Sequence, residues 1–324
     1  MFPHAKKLFT PLVLGSVTLP NRLVQGPLAG YSCAPFRVMT ARYGRAGFAA
    51  TEMISAHDLA HNPKTKNRYL WRDPEENLVC YQLSGQSPEF LARAVSRVNE
   101  AGADLIDLNC GCPVNKIRSK ACGSKLLATP ERIYELVKTI KQNTNAAVSC
   151  KIRIGEPLFD SDDLAVADAV QAAGADFLIV HGRHWTERYD VSARFEPIAR
   201  IKQRVSMPVF ANGDVNSAEM AEQVMAATGC DGIMIARAGA GNPWLFEQIR
   251  AGVMGDVFVP PSRAMIVNVF LEHVQRLADL QDEKLAVLQS RKLAKYYFKS
   301  FEDAGVLVEK IQMMTRLAEL SVIF

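Results

Sequence analysis

Apolar residues along the chain gather into eight short runs, at 22–29, 47–53, 78–85, 104–111, 147–155, 177–182, 208–213 and 231–237. Each run ends in small or polar residues. The connecting segments instead place apolar residues at three- and four-residue spacing, as in Phe90, Leu91, Ala94, Val95 and Val98, or Ile133, Leu136, Val137 and Ile140. The first pattern predicts strands buried on both faces and the second amphipathic helices. Ala-Gly-Ala-Asp at 101–104 and 173–176, and Thr-Gly-Cys-Asp at 228–231, read as glycine helix stops feeding the next strand. Eight βα units predict an α/β fold, a (β/α)8 TIM barrel, rather than an open sheet.

Two segments lie outside that repeat. Residues 11–20 read as an N-terminal β-hairpin turning at Gly15-Ser16, expected to plug the bottom of the barrel. After about residue 250 the alternation stops, Pro260-Pro261 punctuates the chain, and helices are predicted over 263–281, 284–301 and 307–323. The expected organisation is a catalytic barrel over 1–250 and a C-terminal helical-bundle domain over 251–324. A length of 324 residues suits a barrel of about 250 residues with such an appendage.

Composition narrows the setting. The seven cysteines are odd in number and lack metal-ligand spacing, which favours free thiols in a reducing compartment and no metal. No stretch approaches the roughly 20 apolar residues of a membrane span, and the first residues lack a signal-peptide core. The expected location is cytoplasmic, with no membrane association. A net charge of +4 says nothing about nucleic acid, but its distribution does. Lys116, Arg118, Lys120 and Lys125 share a segment free of acidic residues. So do Arg291, Lys292, Lys295 and Lys299, at helical spacing beside Tyr296 and Tyr297. One such run alone favours a solvated basic face; two acid-free clusters, one of them on the loop of Cys112, bring a phosphate-binding face to about even.

In a (β/α)8 barrel the carboxyl ends of the strands form the active site. Here they carry Gln82, Asn109, Cys112, Lys151, Arg153, His181, Arg183, Asn212, Asp214 and Arg237. A single strand-end Asn or Gln is more often a loop cap than a ligand. Lys151, between Cys150 and Ile152, requires a partner if it faces inward. Asn212-Gly213-Asp214, and Ala236-Arg237 opening a small-residue loop into a helix, suit a phosphate cradle. Gly111 and Pro113 turn the chain around Cys112 and should leave its thiol in a loop at the barrel mouth. Cys110, at the strand end, reads as a buried small hydrophobe.

The segment 107–113, Asp-Leu-Asn-Cys-Gly-Cys-Pro, resembles the signature of the tRNA-dihydrouridine synthases. So do Gly26-Pro27-Leu28-Ala29-Gly30 with Pro35-Phe36-Arg37, 150–155, 180–183 and 211–214, in the same order. Residues 116–127, 243–246 and Arg291-Lys292 look most like the bacterial B-type subgroup. The resemblance implies an FMN enzyme that uses NADPH to reduce tRNA uridines to 5,6-dihydrouridine, with hydride to C6 and a proton from Cys112 to C5. By motif position it implies that Pro27, Leu28, Ala29, Gln82 and Lys151 line the flavin ring. His181, Asn212, Gly213, Asp214, Ala236 and Arg237 would hold the ribityl chain and phosphate, and Asn109 and Arg153 would contact the uracil. The two basic clusters would grip the tRNA backbone, with no protein partner and a monomer as the default. Leu28 stands where the family usually has Met, Ala236 where it has Gly, and His184-Trp185 where Thr-Arg is common. Apart from the resemblance, the residues also suit a barrel that reduces a free pyrimidine, a phosphosugar barrel with Lys151 as a Schiff-base lysine, or an RNA-binding protein without activity.

Overall fold

The computed structural model describes residues 2–62, 68–155 and 162–324. Strands β1 (Leu12–Leu14) and β2 (Val17–Leu19) form an antiparallel hairpin. The barrel strands are β3 (Leu23–Gln25), β4 (Ala49–Ala50), β6 (Val79–Ser84), β7 (Leu105–Cys110), β8 (Ala147–Arg153), β9 (Phe177–His181), β10 (Val209–Asn212) and β11 (Gly232–Ile235). A short β5 (Ile54–Ser55) lies beside the end of β6. Every pairing among these strands is parallel. Two pairings close the cylinder: β11 with β3, Ile233 opposite Leu23, and β4 with β6, Ala49 opposite Val79. Each of the eight apolar runs contains one barrel strand, and the barrel fold is as expected.

The lower end of the barrel is filled from below. Phe177 packs between Phe48 and Phe210, with ring centroids 6.1 and 5.5 Å away, and hairpin residues Leu14 and Leu19 join the same buried cluster. The hairpin is therefore the expected plug. Burial of three aromatic rings and two leucines at this end leaves the polar residues to the other.

The glycine helix stops serve a second purpose. Gly102, Gly174 and Gly229 take positive φ (81°, 84° and 63°), and each is followed two residues later by an aspartate. Asp104, Asp176 and Asp231 accept from the backbone N–H of Val79, Val148 and Val209, at the start of the strand before their own (2.8, 2.7 and 3.0 Å). Each also meets a cation: Arg72 at 2.8 Å, Lys141 at 2.7 Å and Lys202 at 2.6 Å. One tetrapeptide thus stops a helix and ties two strands at three places around the barrel.

Helix Leu245–Met254 continues past residue 250, and 255–262 has no regular structure. Helices Arg263–Leu280, Glu283–Tyr297 and Ala304–Met313 follow. Their apolar core includes Cys33, Val38, Met39 and Trp244 of the barrel region. Arg42 reaches Glu272 at 2.8 Å and Arg276 reaches Glu75 at 2.5 Å across the same boundary. The single helix expected over 307–323 is a correction. It ends at Met313, and residues 314–316 turn before the short helix Leu320–Ile323. The Glu319 carboxylate accepts from the backbone N–H of Thr315 and Arg316 (3.1 and 2.8 Å), and Arg291 Nη2 donates to the Met314 carbonyl at 2.8 Å. Those side chains satisfy peptide groups that a continuous helix would have paired.

Truncating the central ring of the plug tests this packing. Phe177→Ala is expected to lower unfolding stability by about 3–5 kcal/mol, read from the denaturant midpoint at unchanged m-value.

Candidate active site

Asp107 lies one strand pair below the mouth, on the inward face of β7, and is 2% exposed. An ionised carboxylate only accepts hydrogen bonds. Ser149 Oγ donates to its Oδ1 (2.6 Å) and Gln82 Nε2 to its Oδ2 (2.8 Å). With its nitrogen committed downward, Gln82 offers its oxygen upward, and Asn109 Nδ2 donates to it at 2.8 Å. That orientation in turn leaves Asn109 Oδ1 to accept from the backbone N–H of Gly111 and Cys112 (3.2 and 2.9 Å). A directed chain of bonds therefore runs from Asp107 to the turn that carries Cys112.

Cys112 is half-exposed, whereas the other six cysteines are buried. Cys110 is fully buried, as its place at the strand end predicted. Among the described residues there is no group of three or more His, Cys, Asp or Glu side chains able to hold a metal.

From the next strand onward the mouth is cationic. Lys151 Nζ donates to Asn212 Oδ1 at 2.9 Å, and Asn212 Nδ2 donates to the Met234 carbonyl at 2.8 Å. Arg183, 1% exposed, donates from Nη2 to both oxygens of Asp214 (2.6 Å each) and from Nε to the Val191 carbonyl (2.6 Å). Its Nη1 lies 3.1 Å from His181 Nε2, which must then be the unprotonated nitrogen of that ring. Burial first, and then Lys151, Arg153, Arg183 and Arg237, hold the His181 imidazole far below its usual range. Arg237 projects outward, reaches Asp214 at 3.2 Å and stacks on exposed Tyr189 with 3.6 Å to the ring centroid. Burial raises the Asp214 carboxyl, but hydrogen bonds from Arg183 and the Ala193 N–H bring it below the ordinary range.

This set fits an anionic, ring-bearing ligand. Four cations surround neutral His181, with Asp214 paired to Arg183 and Arg237 and Asp107 near Lys151. An ammonium has three N–H donors, and Asn212 occupies one of those on Lys151. At the end of β3, Pro27 and Leu28 are half-exposed and Ala29 exposed, so they present apolar surface to the mouth. The loop glycines are also closely packed by the protein itself. A Cβ on Gly213 would lie 2.5 Å from Ala193 Cβ, on Gly239 2.3 Å from Gln25 Oε1, and on Gly241 2.5 Å from Tyr296 Cβ. Their smallness is required by protein packing. Ala236 is half-buried, and its carbonyl accepts the Gly239 N–H at 3.1 Å.

The residues expected to contact a substrate base also have internal partners. Asn109 caps the Cys112 turn. Arg153, 5% exposed, donates from Nε to the Gly111 carbonyl (3.0 Å) and from Nη1 to the His184 carbonyl (2.8 Å). In the first basic cluster Lys116, Lys120 and Lys125 are exposed, while Arg118 is half-buried against Trp185. Lys116, Ile117, Lys120 and Cys122 line a cavity of about 790 Å³ with His57, Phe90 and Ser87. In the second cluster Lys292, Lys295 and Lys299 are exposed, but Arg291 is half-buried and bonded to Met314. Sequence reasoning placed Arg183 at a strand end without a specific role and gave none to Asp107 or Trp185. A carboxylate between Ile106 and Leu108 in a buried strand was the available signal for Asp107.

Burial lifts the Asp107 carboxyl to about 6 and, with Arg153, lowers the Lys151 ammonium to about 8. The folded protein therefore binds the extra proton of Asp107 between pH ~4 and ~6, and stability falls as pH rises through that window. It lacks the proton of Lys151 between pH ~8 and ~10, and stability recovers there. Melting temperature against pH should show both limbs. Asp107→Asn should flatten the acid limb and Lys151→Met the alkaline limb; retention of a limb in its own variant excludes that assignment.

Comparison with known proteins bears on the family and the fold. The dihydrouridine synthase (Dus) family model matches residues 23–321. The chain is 36% identical over 292 residues to tRNA-dihydrouridine synthase B of Pseudomonas aeruginosa, covering 90% of this chain and 88% of the relative. It is 35% identical to probable tRNA-dihydrouridine synthase 1 of Synechocystis sp., covering 95% and 87%. Among solved structures, morphinone reductase shares the fold with a TM-score of 0.58 at 16% identity, covering 80% of this chain and 92% of the other. Histamine dehydrogenase from Rhizobium sp. 4-9 does so with a TM-score of 0.61 at 16% identity, covering 84% and 51%. The chain belongs to the dihydrouridine synthase family.

Proposed function

We propose that this protein reduces uridine in tRNA to 5,6-dihydrouridine with bound FMN, re-reduced by NADPH, and that Cys112 is the proton donor. The observation that carries this reading is the pairing, at one barrel mouth, of a half-exposed thiol on an anchored turn with a cationic cradle. Arg237, Asp214, Asn212, Gly213, Ala236 and His181 would hold the phosphate and ribityl chain. Pro27, Leu28, Ala29, Gln82 and Lys151 would border the ring. Reduced FMN, when bound, supplies hydride to C6 of the uracil.

Cys112 completes the addition across C5=C6: its S–H donates a proton to C5, and the thiolate left behind regains a proton from water. The Asn109 cap keeps that thiol at a constant height above the mouth. Lys151 and Arg153 offer positive charge where the uracil carbonyls become electron-rich. A uridine stacked in folded tRNA must be extruded to reach a barrel interior. Lys116, Lys120 and Lys125 on the Cys112 loop, with Lys292, Lys295 and Lys299 on helix Glu283–Tyr297 and just beyond it, would hold the RNA phosphates. Arg118 and Arg291, committed to internal partners, contribute less. The helical region after Met254 would be the tRNA-binding domain of a monomeric, cytoplasmic enzyme.

Cys112→Ala should keep its flavin and its NADPH oxidation while dihydrouridine formation falls about 10²–10⁴-fold; wild-type product from that variant, by mass spectrometry of tRNA, would refute the role. Lys295→Glu combined with Lys299→Glu should weaken tRNA binding and reduce its log–log salt slope by about 1 per residue, with NADPH oxidation unchanged. An unaltered slope would remove this helix from the interface.

A further inference from the structure

The turn carrying Cys112 is held from both sides. On the strand side the Asn109 amide binds the Gly111 and Cys112 N–H groups. On the loop side the chain leaves through helix Asn115–Arg118 and returns, and Ser124 N–H donates to the Cys112 carbonyl at 3.0 Å. The return is tight. Gly123 has φ +61°, and a Cβ there would stand 2.7 Å from the Cys112 oxygen. Arg118 fastens this excursion internally, donating from Nη1 to Ser124 Oγ at 2.8 Å. Its guanidinium face lies over the Trp185 ring, 3.3 Å from the centroid.

Trp185 belongs to a different loop, the one after β9. Its neighbour His184 gives its carbonyl to Arg153 Nη1, while Arg153 Nε donates to the Gly111 carbonyl. The two loops are thus joined twice, beneath by Arg153 and at the rim by Arg118 on Trp185. From Trp185 the contacts run through Arg118 and Ser124 to the Cys112 backbone.

We propose that Arg118 and Trp185 form a clasp that holds the Cys112 loop closed over the barrel mouth, so that Trp185 is a positioning residue for the thiol. A planar cation stacked on an indole fixes the distance between the loops without a carboxylate, which would oppose RNA phosphates at this rim. The clasp also divides the basic loop: Arg118 holds the protein to itself, and Lys116, Lys120 and Lys125 remain for an anionic partner. Its effect on turnover rests on the function proposed above, but its effect on the loop does not.

Cys112 is a built-in reporter, because the other six thiols are buried. With the purified holoprotein, a disulfide reagent such as 5,5′-dithiobis(2-nitrobenzoate) should show one fast-reacting thiol, absent from Cys112→Ala. Trp185→Ala and Arg118→Ala should each speed that phase by roughly three- to thirty-fold, the range for loss of a partly desolvated cation–π contact. Trp185→Phe should return it towards the wild-type rate. The double variant should be little faster than either single one, since the pair is one interaction. Dihydrouridine formation should lose kcat with little change in the KM for tRNA. Unchanged thiol rates, additive effects, or a raised KM at full kcat would overturn the clasp; the last would make Trp185 an RNA-stacking surface instead. The thiol measurement needs no substrate. If wild-type protein formed no dihydrouridine while the thiol arm behaved as expected, the functional reading would fail and the clasp would stand.

Discussion

One buried carboxylate sets the directions of the hydrogen bonds beneath the turn that carries Cys112. Asp107 accepts from Ser149 and Gln82, and because it cannot donate when ionised, each amide above it has a single consistent orientation. Gln82 must present oxygen to Asn109, and Asn109 must present oxygen to the Cys112 turn. A neutral amide at 107 would allow the whole series to reverse. Burying the charge is costly, and Lys151 on the adjacent strand, in register with Asn109, offsets part of that cost. The acid and the base of the mouth thus each justify the burial of the other.

The two ends of the barrel solve opposite problems. Below, the hairpin and three phenylalanines exclude water, and the repeated Gly-Xaa-Asp unit pins neighbouring strands. Above, four cations act on His181 against the carboxylates of Asp214 and Asp107. A mouth built this way carries unbalanced positive charge, and any anion that bound it would favour the folded state by linkage. The rigidity of the lower end is what makes that arrangement tolerable.

Much of this was legible in the chain. Two-faced burial of strands makes eight apolar runs, and glycine with φ near +80° marks where helices end, so barrel and hairpin follow from local pattern. Gly-Cys-Pro separates Cys112 from Cys110 by turn chemistry alone. What was not legible depends on who stands opposite whom. The role of Asp107 requires the register that brings Gln82 and Ser149 to it. The aspartates after Gly102, Gly174 and Gly229 looked like strand starts, not ties to the preceding strand. That the glycines after β10 and β11 also make room for Ala193, Gln25 and Tyr296 depends on distant neighbours in the same way. Helical periodicity ran on through Met314 because a side-chain cap from Glu319, which ends it, leaves no trace in apolar spacing.

The helical region is fixed to the mouth by the same close packing. Gly241, with φ +62°, lets the loop after β11 touch the backbone at Tyr296, and the Tyr296 ring meets Tyr31 edge-on at 5.6 Å. Tyr31 follows directly on the Pro27–Gly30 stretch that borders the mouth. Helix Glu283–Tyr297, with Lys292 and Lys295 exposed on it and Lys299 beyond its end, is therefore set relative to Cys112 by packing within the chain. Bulky, extended substrates are bound with less ordering cost when the charges they meet are already in place. In this chain two small features supply that advance placement: a glycine at 241 and a tryptophan at 185. Neither carries a charge, yet together they decide where the charges are.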